Sequence, residues 1–216
     1  MDRASDEGRV SVVISDFAQE FWKRRAEGTT ASIRWTDQRM LETDVALVSS
    51  VTADGASLVD LGCGTGDIFM AMFDRLSRVM AVDMVADFLD RIPEDPKITK
   101  VVSGLPGFRT EDRFDVGLLF GVVTHLSLDE EMDVYRRLRE IVPSGTVVVK
   151  NQCGREGDLD VDGWSDAFGA RYMGRYPHVD RQAERLRAVF SSVDVVAYPD
   201  EVNRWPDSVH VAFVCR

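Results

Sequence analysis

A glycine-rich segment that follows a short apolar stretch constrains the fold of this 216-residue chain more than any other feature. The apolar stretch is Ser57–Leu61, and the segment reads Val59-Asp-Leu-Gly-Cys-Gly-Thr-Gly66. A strand that feeds a glycine turn and then a helix is where open α/β sheets bind nucleotides, because glycine lets the backbone approach a ligand closely. The spacing is GxGxG rather than GxGxxG, and the carboxylates of Asp60 and Asp67 flank the turn. Since they would repel a pyrophosphate, the segment predicts a nucleoside with a cationic tail rather than a dinucleotide.

Apolar runs and helical patterns alternate after this segment. Four further runs have the length of a buried strand: Val79–Val82, Ile98–Val102, Phe114–Phe120 and Thr146–Lys150. The stretches between them show helical spacing of apolar residues, as in 67–77, Met84–Arg91 and Leu126–Val142. Two more helical patterns, residues 10–25 and 38–52, precede the first strand. The alternation predicts a parallel sheet covered by helices on both faces.

The last third of the chain departs from this pattern. Residues 151–178 are rich in Gly, Asp and aromatic residues and contain no apolar run of strand length. A helix is predicted over 180–190, and Val193–Tyr198 and Val209–Cys215 predict an antiparallel hairpin. The length favours one elaborated domain over two. We expect N-terminal helices in 1–54, the ligand-binding core in 55–150, an insert and helix in 151–190, and the terminal hairpin in 191–216.

Charge and cysteine content restrict the partners. Lys and Arg number 26 and Asp and Glu 37, for a net charge of −11, which makes nucleic acids and anionic membranes unfavourable partners. Cys63, Cys153 and Cys215 form no CxxC pair, so neither a metal site nor a disulfide framework is expected. The sequence shows no signal peptide and no apolar run of about 18 residues. It predicts a cytoplasmic protein, which we expect to be a monomer or a homodimer.

Asp83 completes the predicted ligand site. It ends the second strand about 20 residues after Gly62, where a carboxylate can accept hydrogen bonds from both ribose hydroxyls. Four segments in this order, VDLGCGTG, AVD, FDVGLLFGVVTHL and PSG before a strand, resemble the class I S-adenosylmethionine-dependent methyltransferases over residues 55–150. The resemblance implies a Rossmann-like, doubly wound seven-stranded α/β sheet with an antiparallel last strand and an N-terminal helical lid. It also implies S-adenosyl-L-methionine as the cofactor.

The resemblance assigns roles to individual residues. Carried over position by position, the cofactor-binding residues are Asp60, Gly62, Gly64, Gly66, Asp83, Met84, Leu105, Phe120 and Gly121. Asp83 would take the ribose diol and Met84 would pack on adenine. Arg34, in the N-terminal segment, would pair with the methionine carboxylate as a bidentate donor. Many relatives have an acidic residue after the third strand, where this chain has Ser103-Gly104, so the contact to the adenine amine stays open.

Methyl transfer requires chiefly that the acceptor be aligned with the methyl group, and a protonated acceptor also requires a general base. His125, just past the fourth strand, is the predicted base. The predicted acceptor-binding residues are Lys150, Asn151, Tyr172, Arg175, Tyr176, His178 and Asn203.

The acceptor class stays open at this point. The segments FWxxRA, VKNQCG, DGWS and NRWPDSVH resemble a methyltransferase branch associated with saccharide or natural-product modification, which implies O-methylation of a sugar or sugar-containing metabolite. N-methylation of a small-molecule amine is the alternative, because a negative field attracts a cation. A protein or RNA methyltransferase is disfavoured by the charge and by the lack of an Asn/Asp-Pro-Pro-Tyr/Phe tetrapeptide after the fourth strand. A non-catalytic S-adenosylmethionine-binding regulator and an NAD-dependent oxidoreductase are further alternatives.

Overall fold

The computed structural model describes residues 17–27, 38–166 and 168–216. Its helices are residues 17–26 (α1), Gln38–Val51 (α2), Asp67–Ala71 (α3), Ala86–Leu89 (α4), Leu128–Ile141 (α5) and Val179–Arg187 (α6). Its strands are Ala56–Leu61 (β1), Leu76–Asp83 (β2), Ile98–Val102 (β3), Val116–Phe120 (β4), Thr146–Gly154 (β5), Leu159–Ser165 (β6), Ala170–Tyr176 (β7), Val193–Ala197 (β8) and Ser208–Cys215 (β9).

Seven strands form one sheet in the order β3-β2-β1-β4-β5-β9-β8. The first five strands pair in parallel, while β9 runs antiparallel to both β5 and β8. The Rossmann-like, doubly wound α/β fold with an antiparallel last strand is therefore confirmed. Strand order reverses between β1 and β4, and ligands of open α/β sheets bind outside the carboxyl ends of the strands at such a point.

The two faces of the sheet carry separate apolar cores. Every residue of β1 is buried, because helices cover both sides of the strand. One core includes Val59, Leu119 and Val149 with α5 and α6, and the other includes Leu58 and Val148 with α2 and α3. Such continuous burial explains why the central strands read as uninterrupted apolar runs.

The boundaries of β2 and α3 differ from the prediction. Helix α3 ends at Ala71, a 3-10 turn occupies Phe73–Arg75, and the strand already begins at Leu76. The helix predicted to continue through residue 77 was therefore too long, and the strand predicted for Val79–Val82 too short. The polar pair Ser77-Arg78 obscured the strand, whose pairing with β1 starts at Ala56.

Residues 151–178 contain strands that we did not predict. Strand β5 continues to Gly154, and β6 and β7 pair as a separate antiparallel hairpin, Leu159–Tyr176. The segment lacks an apolar run because β6 is largely exposed and alternates as Leu-Asp-Val-Asp. Arg171 donates to both carboxylate oxygens of Asp162, each at 2.8 Å, which ties the two strands together.

Candidate active site

A cavity of about 810 Å³ opens at the carboxyl edge of the parallel strands. This volume lies toward the upper end of the roughly 300–1,000 Å³ typical of small-molecule sites, which leaves room for two ligands side by side. We call the part lined by residues 60–67, 83–88, 103–106 and 120–121 the cofactor half. The acceptor half is lined from 122–126, 150–152, the hairpin, residues 204–210 and helices α1 and α2.

The glycine loop of the cofactor half depends on left-handed backbone. Gly62, Gly64 and Gly66 have φ angles of 75°, 56° and 74°. A Cβ on Gly62 would lie 2.4 Å from Cγ2 of Val122. The loop is also anchored to the neighbouring strand, since the backbone N–H groups of Gly62 and Cys63 both donate to the carbonyl of Val82. The backbone around the turn is therefore fixed before any ligand binds.

Asp83 is held at the end of β2 beside this loop. Its carboxylate accepts the backbone N–H of Gly64 and of Val85, each at 2.9 Å. Burial raises the pKa of Asp83, and the hydrogen bonds from backbone N–H groups lower it in part. The carboxylate lines the cavity with lone pairs left to accept ribose hydroxyls, so its position fits the nucleoside part of S-adenosylmethionine.

The remaining cofactor residues predicted from the sequence gather at the same edge, with one exception. Asp60, Leu105 and Phe120 line the cavity, and Gly121 follows β4 with a φ of 71°. Met84 packs in an apolar cluster made with residues Trp22, Ala26, Val85 and Phe88, which brings α1 against the predicted adenine side. Arg34 lies outside the described residues.

His125 ends a 3-10 turn, Val123–His125, directly after β4. The rings of Trp22 and Tyr172 meet its imidazole edge-on, at centroid distances of 5.7 and 5.6 Å. Burial lowers the pKa of His125 to about 4, and a hydrogen bond with the backbone of Met173 opposes this only in part. Its Nδ1 is buried and has no hydrogen-bond partner among the described residues. The imidazole is therefore neutral at pH 7, with a ring nitrogen available to accept a proton.

Aromatic side chains of α1 and the hairpin cover His125 and form what we call the aromatic roof. Phe21 of α1 meets the rings of Phe168 and Tyr172 in the hairpin at 5.3 and 5.6 Å, and these two rings stack at 5.1 Å. The guanidinium of Arg25 lies 4.7 Å from the centroid of the Phe168 ring. Helix α1 thus closes the cavity against the hairpin, which agrees with the predicted N-terminal lid and keeps bulk water from His125.

Lys150 is buried at the end of the parallel part of β5. Its Nζ lies 3.7 Å from Oδ1 of Asp44 and 3.4 Å from Sδ of Met40, both on α2. The hydroxyl of Tyr198 donates to the same Asp44 oxygen at 2.7 Å. Asp44 was not predicted from the sequence, although an acidic residue on the buried stripe of α2 was a signal that it has a partner in the fold.

Other predicted acceptor-binding residues also line the cavity. Asn151 is fully buried, and neither Oδ1 nor Nδ2 of its amide has a partner in the part of the chain that the structure describes. Tyr172 forms side-chain hydrogen bonds with Tyr176 and Thr124, and all three face the cavity. Asn151, Tyr172 and Tyr176 thus lie in the acceptor half with His125.

Three predicted acceptor-binding residues do not line the cavity, and these predictions are corrected. Arg175 donates to Oε2 of Glu131 at 2.7 Å. His178 precedes α6, where its backbone N–H donates to Asp158 and its Nε2 lies 3.1 Å from the carbonyl of Arg155. Asn203 accepts the backbone N–H of His210 at 2.7 Å. Each polar group bonds within the fold, so these residues support the site from outside.

Glu131, which anchors the hairpin to α5, was likewise not predicted from the sequence. This fully buried carboxylate in α5 accepts Arg175 of β7 and Arg185 of α6, at 2.7 and 3.0 Å. The hydroxyl of Tyr135 donates to it as well. In the sequence Glu131 looks like an ordinary acidic residue in the first turn of a helix, and only the fold reveals its partners.

His210 is a second buried histidine of the acceptor half. Burial lowers its pKa to about 3, and the positive charges of Lys150 and Arg204 add to the effect. Its Nδ1 lies 3.2 Å from Oδ1 of Asn203. Unlike Nδ1 of His125, Nδ1 of His210 therefore has a partner within the fold.

Comparisons with known proteins agree with this geometry. Residues 59–149 match the model of a family described as a methyltransferase domain. Among solved structures, a Burkholderia thailandensis 1,6-didemethyltoxoflavin N1-methyltransferase with bound S-adenosylhomocysteine is similar at a TM-score of 0.70 and 21% identity, covering 100% of this chain and 92% of that one. A glycopeptide N-methyltransferase complexed with S-adenosylhomocysteine has a TM-score of 0.62 at 14% identity, with 82% and 90% covered. The DhpI complex with S-adenosylhomocysteine has a TM-score of 0.64 at 14% identity, and the match covers 91% of this chain and 95% of that chain. No curated protein matches the sequence.

The fold and the domain match both indicate a methyltransferase. The protein is an S-adenosylmethionine-dependent methyltransferase, with residues 59–149 as the methyltransferase domain. Two absences apply to the described part of the chain only. No group of His, Cys, Asp and Glu there could hold a metal ion. Likewise, no helix within residues 17–27, 38–166 and 168–216 is long and apolar enough to cross a membrane.

Proposed function

We propose that the protein methylates a proton-bearing oxygen or nitrogen of a small polar molecule bound in the acceptor half of the cavity. The observation that carries the proposal is the neutral, buried imidazole of His125, which has an unpartnered Nδ1 beside the edge that would hold the cofactor. An acceptor that carries a proton at neutral pH needs a group that can take it, and an unprotonated imidazole has that capacity.

Different residues of the site would have different roles in this reaction. Bound S-adenosylmethionine supplies an activated methyl group, so the protein has chiefly to align the acceptor with it. Asp83 and the glycine loop would fix the nucleoside and methionine parts at the carboxyl edge of β1 and β2. The aromatic roof formed by α1 and the hairpin would exclude water. His125 Nδ1 would accept the acceptor's proton as the methyl group is transferred.

A hydroxyl group of a sugar or sugar-containing metabolite is our first candidate for the acceptor. Tyr172, Tyr176 and Thr124 support it, because their hydroxyl groups meet beside His125 and suit an acceptor with several polar groups. The aromatic rings of the acceptor half would pack against the apolar face of such a molecule.

A small-molecule amine or other nitrogen acceptor is the second candidate. The acceptor half contains more carboxylates than cations: it is lined by Asp44, Asp160, Asp166 and Asp207 against Lys150 and Arg204. Such a negative field attracts cationic ligands. Two of the similar structures are N-methyltransferases by their names, which also favours nitrogen.

We further propose a cytoplasmic location and a small-molecule rather than a nucleic-acid substrate for a monomer or homodimer. The net charge of −11 supports the choice of substrate, because a chain this acidic repels phosphate backbones.

Calorimetric titration with S-adenosylhomocysteine tests the cofactor part of the proposal. We expect the wild type to bind and Asp83→Ala to bind at least about 10-fold more weakly, since a charge-assisted hydrogen bond contributes about 1.5–3 kcal/mol. Asp87→Ala is the matched control, because Asp87 is an exposed residue of the neighbouring helix. Absence of binding, or equal binding by Asp83→Ala, would contradict the proposal.

Release of S-adenosylhomocysteine from S-adenosylmethionine, measured over a panel of sugars and amines, tests the chemistry. His125→Gln should bind S-adenosylhomocysteine like the wild type yet turn over the best acceptor about 10²-fold more slowly. Equal turnover by both proteins would show that His125 takes no proton.

A further inference from the structure

Two side chains of the acceptor half have buried polar atoms without hydrogen-bond partners among the described residues, and both side chains line the same cavity. Asn151 is fully buried, with both Oδ1 and Nδ2 unpartnered, and His125 has its buried Nδ1 unpartnered, within the described residues. Gln152, the next residue in β5, differs, because its Nε2 donates to Oγ of Ser208 at 2.7 Å. The absence of partners is thus specific to Asn151 and His125 rather than general to this wall of the cavity.

The alternation of side chains along β5 places Asn151 on the same side of the sheet as His125. Val149 and Cys153, two residues before and after Asn151, belong to the apolar core that also contains Val123 and Leu126. The neighbours of His125 therefore pack on the face toward which Asn151 points. Lys150 points to the opposite face, toward Asp44 of α2.

An unpartnered amide in this position requires a physical reason. More than about 90% of buried polar groups in proteins have hydrogen-bond partners, and each unpartnered one destabilises the fold. Because Asn151 lines the cavity, a ligand can supply the missing partners. The same holds for His125, whose Nδ1 acts as an acceptor when the imidazole is neutral.

The donors and acceptors of the two residues define what they can bind. The amide of Asn151 offers N–H donors at Nδ2 and an acceptor at Oδ1, and His125 Nδ1 offers a second acceptor. A carboxylate or phosphate could bond only to Nδ2 and would face two acceptors that repel it. A neutral group with a donor beside an acceptor can bond to both ends of the amide.

We propose that Asn151 determines acceptor specificity by binding a neutral edge of the acceptor, a hydrogen-bond donor next to a hydrogen-bond acceptor, as in an amide or lactam or a vicinal diol. This inference rests on the proposed function and names the chemistry of its acceptor. Anionic groups are excluded from this position, and the reacting atom lies beside the edge, within reach of His125.

Thermal unfolding of the full-length chain without small molecules is the first test. Asn151→Leu keeps the shape of the side chain, and Asn151→Ala removes the amide without adding bulk. Both should unfold a few degrees above the wild type, roughly 2–6 °C, because each removes an unpartnered buried amide. Gln182→Leu is the matched control. Gln182 is equally buried but bonds Tyr135 and Cys153 and does not line the cavity, so its loss should lower the melting temperature.

The second test uses small probes with S-adenosylhomocysteine present. Benzamide and cis-1,2-cyclohexanediol carry the proposed neutral edge, as an amide and as a diol, and benzoate is the anionic match to benzamide. At least one neutral probe should raise the melting temperature of the wild type but not of Asn151→Leu, and benzoate should raise neither. Whether benzamide or the diol raises the melting temperature distinguishes an amide-type acceptor from a diol.

The proposal is overturned if both Asn151 variants unfold below the wild type, as Gln182→Leu does. It is also overturned if benzoate stabilises the wild type as well as the neutral probes do, or if neither neutral probe distinguishes the wild type from Asn151→Leu. Calorimetry with S-adenosylhomocysteine on the same samples separates the two proposals. A wild type that binds none contradicts the methyltransferase function, whereas normal binding with the outcomes above contradicts only the role of Asn151.

Discussion

The two halves of the cavity are built on different principles. In the cofactor half the shape is set by backbone: three left-handed glycines, and a carboxylate whose oxygens already accept the N–H groups of Gly64 and Val85. The acceptor half is made of side chains from α1, α2, β5 and the hairpin, and its amide at Asn151 and Nδ1 of His125 have no partner among the described residues. The polar groups of the cofactor half are thus held in place before ligand binding, whereas under the proposed function the acceptor half would gain its missing hydrogen bonds from a ligand.

Among the substitutions that should affect only one half of the cavity, we expect Glu131→Gln to have the largest effect. The substitution leaves Arg175 and Arg185 without their buried counter-charge, and breaking a buried ion pair destabilises a protein by about 3–5 kcal/mol. For a chain of this length that lowers the melting temperature by about 10 °C. Scanning calorimetry measures the loss, and hydrogen exchange should show faster exchange in β7 than in β1.

Affinity for S-adenosylhomocysteine should change little in Glu131→Gln below its melting temperature, because neither Glu131 nor its partners Arg175, Arg185 and Tyr135 line the cofactor half. Glu140→Gln, at an exposed position of the same helix, is the control and should behave like the wild type. If cofactor affinity fell together with the stability of the hairpin, the two halves would not be independent.

Gly62→Ala should show the opposite pattern, because it should lower cofactor affinity in the cofactor half. The new Cβ would lie 2.4 Å from Val122, on backbone with a φ of 75°. Strain of about 1–3 kcal/mol at the loop corresponds to a loss of about 5- to 150-fold in affinity for S-adenosylhomocysteine, measured by titration. Gly55→Ala is matched, because its φ is 80° and no atom lies within 4 Å of its Cβ, away from the cavity. It should lower stability but leave the affinity unchanged.

The same division explains how much could be predicted from the sequence. The glycine loop is continuous in sequence, and Asp83 follows at the end of the next strand, so local pattern was enough to predict that they lie at one edge of the sheet. The position of His125 at the same edge was also predictable, because it lies only five residues past the end of β4. The ion pair between Asp44 and Lys150 was not, since it joins residues more than 100 positions apart in the chain.

The hairpin was missed for a related physical reason. Its strands are held by paired backbone, by the ion pair of Arg171 with Asp162 and by contacts with α1, rather than by an apolar run of their own. Arg175, predicted to bind the acceptor, bonds instead to a carboxylate 44 residues away in the chain. Partners so distant in sequence leave no periodicity or motif to read.

A smaller effect concerns the pH dependence of stability, which should arise in the acceptor half. The pKa of His125 is about 4 and that of His210 about 3 in the folded chain, against 6.5 when unfolded. The unfolded chain therefore binds more protons below pH 6.5. The stability from neutral His125 is complete above pH 6.5 and is lost as pH falls toward 4, by at most about 1.4 kcal/mol per pH unit.

Urea unfolding between pH 4.5 and 7.5 measures this slope. In His125→Gln the free energy of unfolding should fall less steeply with acidification than in the wild type. His210→Gln should show the same change, and the effect of His210 should continue to a lower pH because its pKa is lower. An unchanged slope in both variants would mean that the imidazoles are not held neutral by burial.

The smallest effect on stability is expected at Trp164, at the rim of the acceptor half. This residue is 71% exposed on the hairpin and lines the cavity, so Trp164→Ser should change the free energy of unfolding by less than about 0.5 kcal/mol. An aromatic side chain that is exposed without a ligand can still become buried against one, and burying 100 Å² of apolar surface contributes about 2.5 kcal/mol. The substitution should therefore slow methyl transfer to the best acceptor at low acceptor concentration and leave affinity for S-adenosylhomocysteine intact. Val195→Ser changes an exposed apolar residue of β8 that does not line the cavity. It should alter neither the rate of methyl transfer nor the affinity for S-adenosylhomocysteine. Equal behaviour of the two variants in the transfer assay would show that the acceptor half does not extend to the hairpin rim.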